Sequence, residues 1–360
     1  MTKAFEDRLR GRIAAEGPLP VETVMAEANA AYYARGTAIG AAGDFITAPE
    51  ISQVFGEICG LWMAVVWQMV GMPRPLTLVE CGPGRGTLMA DALRALAPVP
   101  AFRAALEVHL VETSAALRET QRAALGDAVT AWHDALDTLP ERPLFLIGNE
   151  FLDALPVRQY VRVDDGWHLR RVGLAEDGRF VFVVGEAVTA DDLDPRVRAG
   201  APDGAIAEVC PSARAFVTDV AQRVVASGGA ALLIDYGHAV AAGGETLQAV
   251  SRHQYRSPLE GLGTVDLTAH VDFQALDEAT RSVGARTHGP VEQGAWLRAL
   301  GAEARAAALC RNATPGQADA VRAAVRRLVD PTEMGSLFRV FAVTGSGAGP
   351  LPGFEGGLSS

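Results

Sequence analysis

Residues 76–94, LTLVECGPGRGTLMADALR, constrain this chain more than any other stretch. Leu76, Leu78 and Val79 form a short apolar, β-prone run, as expected of a strand buried on both faces. Glu80-Cys81-Gly82-Pro83-Gly84-Arg85-Gly86-Thr87 follows, and Leu88, Met89, Leu93 and Leu96 then fall at helical spacing. Strand, glycine-rich turn and helix make the first βα unit of a nucleotide-binding α/β sheet. The glycines let the backbone approach a ligand that a Cβ would repel. The free N–H groups of the helix can meet an electronegative group there. Alone, the turn is also compatible with a purely structural role.

The ligand follows from the acids beside the turn. A dinucleotide turn reads GxGxxG, whereas here the spacing is GxGxG and Glu80 precedes it. A carboxylate there would repel a pyrophosphate but suits a ligand carrying a sulfonium and an α-ammonium. The strand EVHLV (107–111) ends on Glu112, placed to take both ribose hydroxyls. Glu112 follows the turn by more than the ~20 positions expected for NAD. S-adenosyl-L-methionine is therefore the expected cofactor, with Glu80, Gly82, Gly84, Gly86 and Glu112 around it. Asp134, after the next short strand (128–132), is a candidate for the adenine amino group or for a helix cap.

Composition narrows the chemistry. A formal charge of −11 argues against a general nucleic-acid or anionic-membrane surface. Of 32 cationic residues only Lys3 is a lysine, which leaves none in the body for a P-loop or a Schiff base. The four cysteines show no CxxC spacing and the histidines no HExxH, so no metal site is expected. Single scattered cysteines fit a reducing compartment. The first residues lack an apolar core segment, and the longest apolar run (61–72) is too short to span a bilayer. A cytoplasmic protein without membrane insertion is expected.

Periodicity divides the 360 residues into an N-terminal helical part with a covering loop (1–71), the first half of an α/β core (72–156), an inserted β-meander (157–210), the second half of the core (211–344) and a flexible tail (345–360). Helices are expected at 4–16, 21–31 and 49–70, the last with Val54, Ile58, Leu61, Val65 and Met69 on its core face. Thr47 and Glu50 read as a capping box for it. The glycine-rich loop before it (36–50) is either a linker or a cover over the ligand, which adds Gly43 and Thr47 to the cofactor-binding candidates. Strands follow at 108–111, 128–132, 143–148, 229–234 and 337–343, with 239–266 loop-rich and a helix at 271–283. Asn149, Glu150, Asp153 and Asp235 lie just past carboxyl ends of these strands, where such sheets bind ligands.

GDFITAPEISQVFGE, LVECGPGRGTLMADALRAL, NEFLDALPVRQYV, LIDYGH, TLQAVSRHQY and DLTAHVDF occur in this order. Together they resemble the MidA-like family of class I S-adenosylmethionine-dependent methyltransferases, over roughly 32–343. The resemblance implies a Rossmann-like sheet with an antiparallel last strand. It also implies symmetric dimethylation of an arginine on a respiratory complex I subunit, in support of its assembly. A guanidinium is a poor nucleophile while its charge is delocalised, so acids must grip its fork. Glu150 is the first candidate, with Asn149, Asp153 and Asp235 beside it. His238, His253 and His270 are either candidate proton acceptors or, as is commoner for loop histidines, simply satisfied by their neighbours. A small-molecule methyltransferase and a non-catalytic assembly chaperone are the alternatives; the oligomeric state is open.

Overall fold

Successive residues of the central strands go to opposite faces, and both faces are apolar. The computed structural model describes residues 2–35, 46–251 and 254–355. Its main sheet contains β1 Leu76–Cys81, β2 Leu106–Val111, β3 Val129–His133, β4 Leu144–Asn149, β5 Gly229–His238, β6 Arg286–Glu292 and β7 Phe338–Thr344. The order is β6-β7-β5-β4-β1-β2-β3, with the two-residue strand Val271–Asp272 against the end of β5. The five strands from β5 to β3 are parallel, and β7 is antiparallel to both β5 and β6. Leu78, Phe145, Ile147 and Leu232 pack on one face; Val79, Leu146, Leu233 and Phe341 pack on the other.

β6 was not expected. Its sequence RTHGPVE has little apolar alternation, and its pairing slips between His288 and Val291. Its place beside β7, and not its composition, makes it a strand.

The expected helix at 49–70 is two helices, Ala48–Ile51 and Gln53–Met69. Ser52 is extended between them, and its Oγ accepts from Val54 N to start the second. The core face also differs. Val54 and Ile58 are buried, but Leu61, Val65 and Met69 are 41%, 43% and 45% exposed, while Phe55, Cys59, Trp62, Met63, Val66 and Trp67 are buried. This helix is apolar nearly all round, so periodicity alone cannot choose a face. Gly56 and Gly60 choose it. A Cβ on Gly60 would lie 2.7 Å from Ala92 Cα, and one on Gly56 2.8 Å from Asp91 Cβ, on the Thr87–Ala95 helix.

The meander Arg158–Val163, Gly166–Leu174 and Phe180–Val188 forms a second sheet, joined by Ile206–Val209 and by Leu19–Pro20. Helices Thr2–Glu16 and Val21–Tyr33 cover it through Phe5, Leu9, Ile13, Val24 and Met25. The loop-rich region contains a third small sheet, Gln248–Ser251, Gln254–Arg256 and Asp266–Thr268. The helix expected at 271–283 begins at Phe273, capped by the Asp272 carboxylate. The chain after Thr344 is not all tail: Leu351 and Phe354 return to the core, and Trp62 Nε1 donates to Pro352 O at 3.0 Å.

Candidate active site

The loop after β1 departs furthest from ordinary backbone. Gly82, Gly84 and Gly86 have φ of 63°, 53° and 83°, left-handed values that disfavour a side chain. Glu50 holds the loop from outside: Thr87 Oγ1 donates to Glu50 Oε1, and Arg85 Nη1 donates to Oε2 at 3.3 Å. Glu50 is therefore not half of a capping box. The Thr47 side chain caps nothing and lines a cavity in front of the loop. That cavity measures about 760 Å³ and opens at the carboxyl ends of β1, β2 and β4, within the size range of small-molecule sites.

Glu80 borders the cavity and is 3% exposed. Its Oε2 has no hydrogen-bond partner, and burial pushes its carboxyl up to about 8. A buried carboxyl with an open acceptor position is satisfied by a cation.

Glu112, beyond β2, also borders the cavity, and burial raises its pKa. Oε1 accepts from Ser114 N at 2.7 Å, and Oε2 accepts from Gln121 Nε2 at 3.2 Å. The same Nε2 donates to Gly84 O at 2.8 Å, and Trp132 Nε1 donates to Gln121 Oε1 at 2.9 Å. One buried amide thus couples Glu112 to the glycine loop. The sequence reading missed Gln121, although its spacing from Leu117 and Leu125 puts a polar residue on the buried stripe of helix Ala115–Leu125. Asp134 sits at the rim. Its side chain is 81% exposed and accepts from Arg118 Nη2 at 2.7 Å. It caps no helix, since the following turn starts after Ala135.

Asn149 and Glu150 close the cavity at β4. Glu150 N donates to Ile234 O at 2.9 Å while its φ is 50°, a conformation costing ~1–3 kcal/mol that clusters at functional sites. Its Oε1 accepts from Ala48 N and from Asn149 Nδ2, each at 3.1 Å. Burial, and then the charge of Asp153, push the Glu150 carboxyl up to about 7.

Asp153 and Asp235 stand behind this wall, not in it. Asp235 is 1% exposed. Its Oδ2 accepts from Leu152 N at 2.9 Å and Asp153 N at 3.2 Å, and its Oδ1 from Tyr236 N at 3.0 Å. The expectation that Asp235 walls the pocket is corrected: unpaired N–H groups of the turn after Glu150 claim its carboxylate first. Burial raises the pKa of both aspartates, and Asp153 is hydrogen-bonded by Tyr236. His270 packs edge-on against Tyr236, and His238 Nε2 is 3.8 Å from Asp272. Gly43 and His253 lie outside the described residues.

The helix Val21–Tyr33 supplies a wall that sequence reasoning did not foresee. Asn29 Nδ2 donates to Ala154 O at 2.9 Å and to Leu267 O at 2.8 Å, and its Oδ1 accepts from Leu267 N at 3.2 Å. Tyr33 donates to Asp266 at 2.7 Å, and Ser114 Oγ donates to Tyr33 O at 2.9 Å. Among the described residues, no group of three or more His, Cys, Asp or Glu side chains could hold a metal ion.

Residues 58–291 match a family model described as S-adenosyl-L-methionine-dependent methyltransferase. The chain belongs to this family. As a methyltransferase it takes S-adenosyl-L-methionine as cofactor, and the cavity fits that cofactor: three glycines without Cβ atoms, a buried carboxyl with one unpartnered oxygen for a cation, and a second carboxyl oriented by buried donors. The chain is 33% identical over 369 residues to the mitochondrial protein arginine methyltransferase NDUFAF7 homolog of Drosophila melanogaster, covering 93% of this chain and 84% of that one. The human mitochondrial protein arginine methyltransferase NDUFAF7 is 32% identical over 379 residues, covering 92% and 81%. A crystal structure from Burkholderia thailandensis, of a methyl transferase superfamily member bound to S-adenosyl-homocysteine, superposes with a TM-score of 0.84 at 31% identity, covering 99% and 95%.

These names correct one expectation. The protein arginine methyltransferase relatives are named mitochondrial, which overturns the cytoplasmic reading. Scattered single cysteines speak for a reducing compartment without saying which one. Among the described residues no helix is long and apolar enough to cross a membrane.

Proposed function

We propose that this methyltransferase acts on an arginine side chain of a protein, and that Glu150 grips the acceptor. The observation that carries this reading is the Glu150 carboxylate: it borders the cavity from a left-handed backbone, with Ala48 N and Asn149 Nδ2 both holding Oε1. Oε2 is left to receive a donor. The names of the relatives support arginine as the acceptor, and the family resemblance supports a respiratory complex I subunit as its bearer.

In this reading Glu80 faces the positive end of the cofactor, Gly82, Gly84 and Gly86 make room for it, and Glu112 takes the ribose hydroxyls. Thr47 borders the same space, and Asp134 contributes at the adenine rim together with Arg118. When bound, the cofactor supplies a methyl group on a sulfonium, which leaves with the bonding pair staying on sulfur. An arginine is cationic below ~12.5, and its charge spreads over three nitrogens. The Glu150 carboxylate pairs with the fork, draws positive charge toward itself and fixes one nitrogen toward the cofactor. The proton displaced from the methylated nitrogen passes to that carboxylate and on to solvent. Asp235 and Asp153 are positioning residues that hold the turn carrying Glu150.

Lysate from cells lacking this chain, incubated with purified protein and methyl-labelled cofactor, tests the reading. Labelled methylarginine in the acid hydrolysate of one protein band is expected. Label confined to small molecules, or to residues other than arginine, overturns it.

A further inference from the structure

We propose that Asn149 contacts the acceptor directly, its Oδ1 receiving an N–H of the guanidino group whose fork Glu150 holds. This rests on the arginine reading above and adds a second acceptor contact to it.

The orientation of the Asn149 amide follows from its neighbour. Nitrogen and oxygen of an amide are distinguished by their partners. Glu150 Oε1 already accepts from Ala48 N, and in the ionised state that grips an acceptor it can only accept again, so the atom 3.1 Å from it is Nδ2. Oδ1 is therefore committed to the other side. There it has no hydrogen-bond partner and is shut off from solvent, on a residue that borders the cavity. The backbone cannot relieve this, because Asn149 is locked opposite Ile234 in the pairing of β4 with β5. An orphaned buried acceptor is destabilising. At the end of an otherwise apolar strand, LFLIGN, a residue that only filled space would be apolar. Donors are what a guanidino group brings: five N–H groups in one plane, enough for the Glu150 fork and for Oδ1 together.

The rival explanation is that Asn149 merely orients Glu150 through Nδ2. A double-mutant cycle separates the two. The probe is an adenosine whose 5′ position carries an aminopropyl-guanidine arm, compared with the same adenosine carrying an uncharged butyl arm and with S-adenosyl-homocysteine. Affinities are measured by calorimetry, so no methyl transfer is needed. Asn149→Leu is expected to lower the preference for the guanidine arm ~10-fold, the worth of one hydrogen bond to a charged group. The same loss should appear in the Glu150→Gln background, with S-adenosyl-homocysteine affinity unchanged. Asn149→Asp keeps an oxygen at that place and is expected to retain the preference.

No further loss from Asn149→Leu in the Glu150→Gln background makes Asn149 a positioning residue and overturns the proposal. Equal losses for all three ligands would assign Oδ1 to the cofactor and also overturn it. So would a loss in Asn149→Asp as large as in Asn149→Leu, a comparison that stands even where Asn149→Leu folds poorly. If the parent shows no preference for the guanidine arm at all, the arginine reading itself fails, and this outcome is distinct from the others.

Discussion

Glu150 N donates to Ile234 O at 2.9 Å, and this one bond carries the β4–β5 ladder a residue past the point where the chain turns away. Glu150 meets both demands only by adopting φ of 50°. Glycine would do so without strain. Replacing Glu150 by Gly should therefore leave the fold as stable as the parent or more so, by up to ~1 kcal/mol, while methyl transfer is lost. Thermal melts and turnover on the same samples check this. A clearly destabilised Glu150→Gly protein would show that the side chain holds the fold.

Glu150→Gln keeps the shape and removes the charge. Turnover on the arginine acceptor should fall by ~3–5 kcal/mol in the barrier, two to four orders of magnitude, with cofactor affinity barely changed. Near-parent turnover would move the acceptor grip away from Glu150.

Gly84→Val should abolish cofactor binding, because a β-branched residue at φ of 53° distorts the loop and fills the space in front of it. Calorimetry with S-adenosyl-L-methionine reads this directly. Binding as tight as the parent's would place the cofactor elsewhere.

Glu112→Ala should weaken the cofactor by ~1.5–3 kcal/mol. Gln121→Leu should weaken it too, since Gln121 Nε2 joins Glu112 to Gly84 O. The two losses should not add, because both act through one carboxylate. Full additivity would give Gln121 a separate role.

The pH dependence of stability has a worked sign. The Glu80 carboxyl is raised to about 8 and that of Glu150 to about 7, largely by burial. In the unfolded chain both ionise near pH 4.5. Above that pH the folded protein binds more protons than the unfolded one, so stability falls as pH rises through 7 and 8. The histidines with lowered values, His109, His133, His270 and His288, act in the opposite sense, an effect that fades as pH climbs above their ordinary value of 6.5. Melting temperature of the cofactor-free protein should drop between pH 7 and 8. A rise over that interval would mean that Glu80 is already ionised and paired.

The sheet, and the residues that come together around the cavity, were legible because their signals are local. A glycine turn after an apolar run, and acids at strand ends, show in consecutive residues. What stayed hidden depends on distant partners. The buried face of Gln53–Met69 is set by the close approach of Ala92 to Gly60, not by its own apolar pattern. Asp235 looked like a pocket residue from its place after an apolar run, yet it serves the backbone of Leu152 and Asp153. The strain at Glu150 arises from a bond to another strand, which no window around residue 150 contains.

Asn29 gives all three of its hydrogen bonds to backbone on two separate segments, at Ala154 and at Leu267. The first lies four residues beyond Glu150, so a side chain near the start of the chain helps decide where the acceptor turn rests. For anyone engineering this enzyme, the Rossmann-like sheet is not an exchangeable cassette. A shortened protein beginning just before β1 would keep Glu80 on that strand and Glu112 after β2 and yet lose the fastening of the turn that bears Glu150.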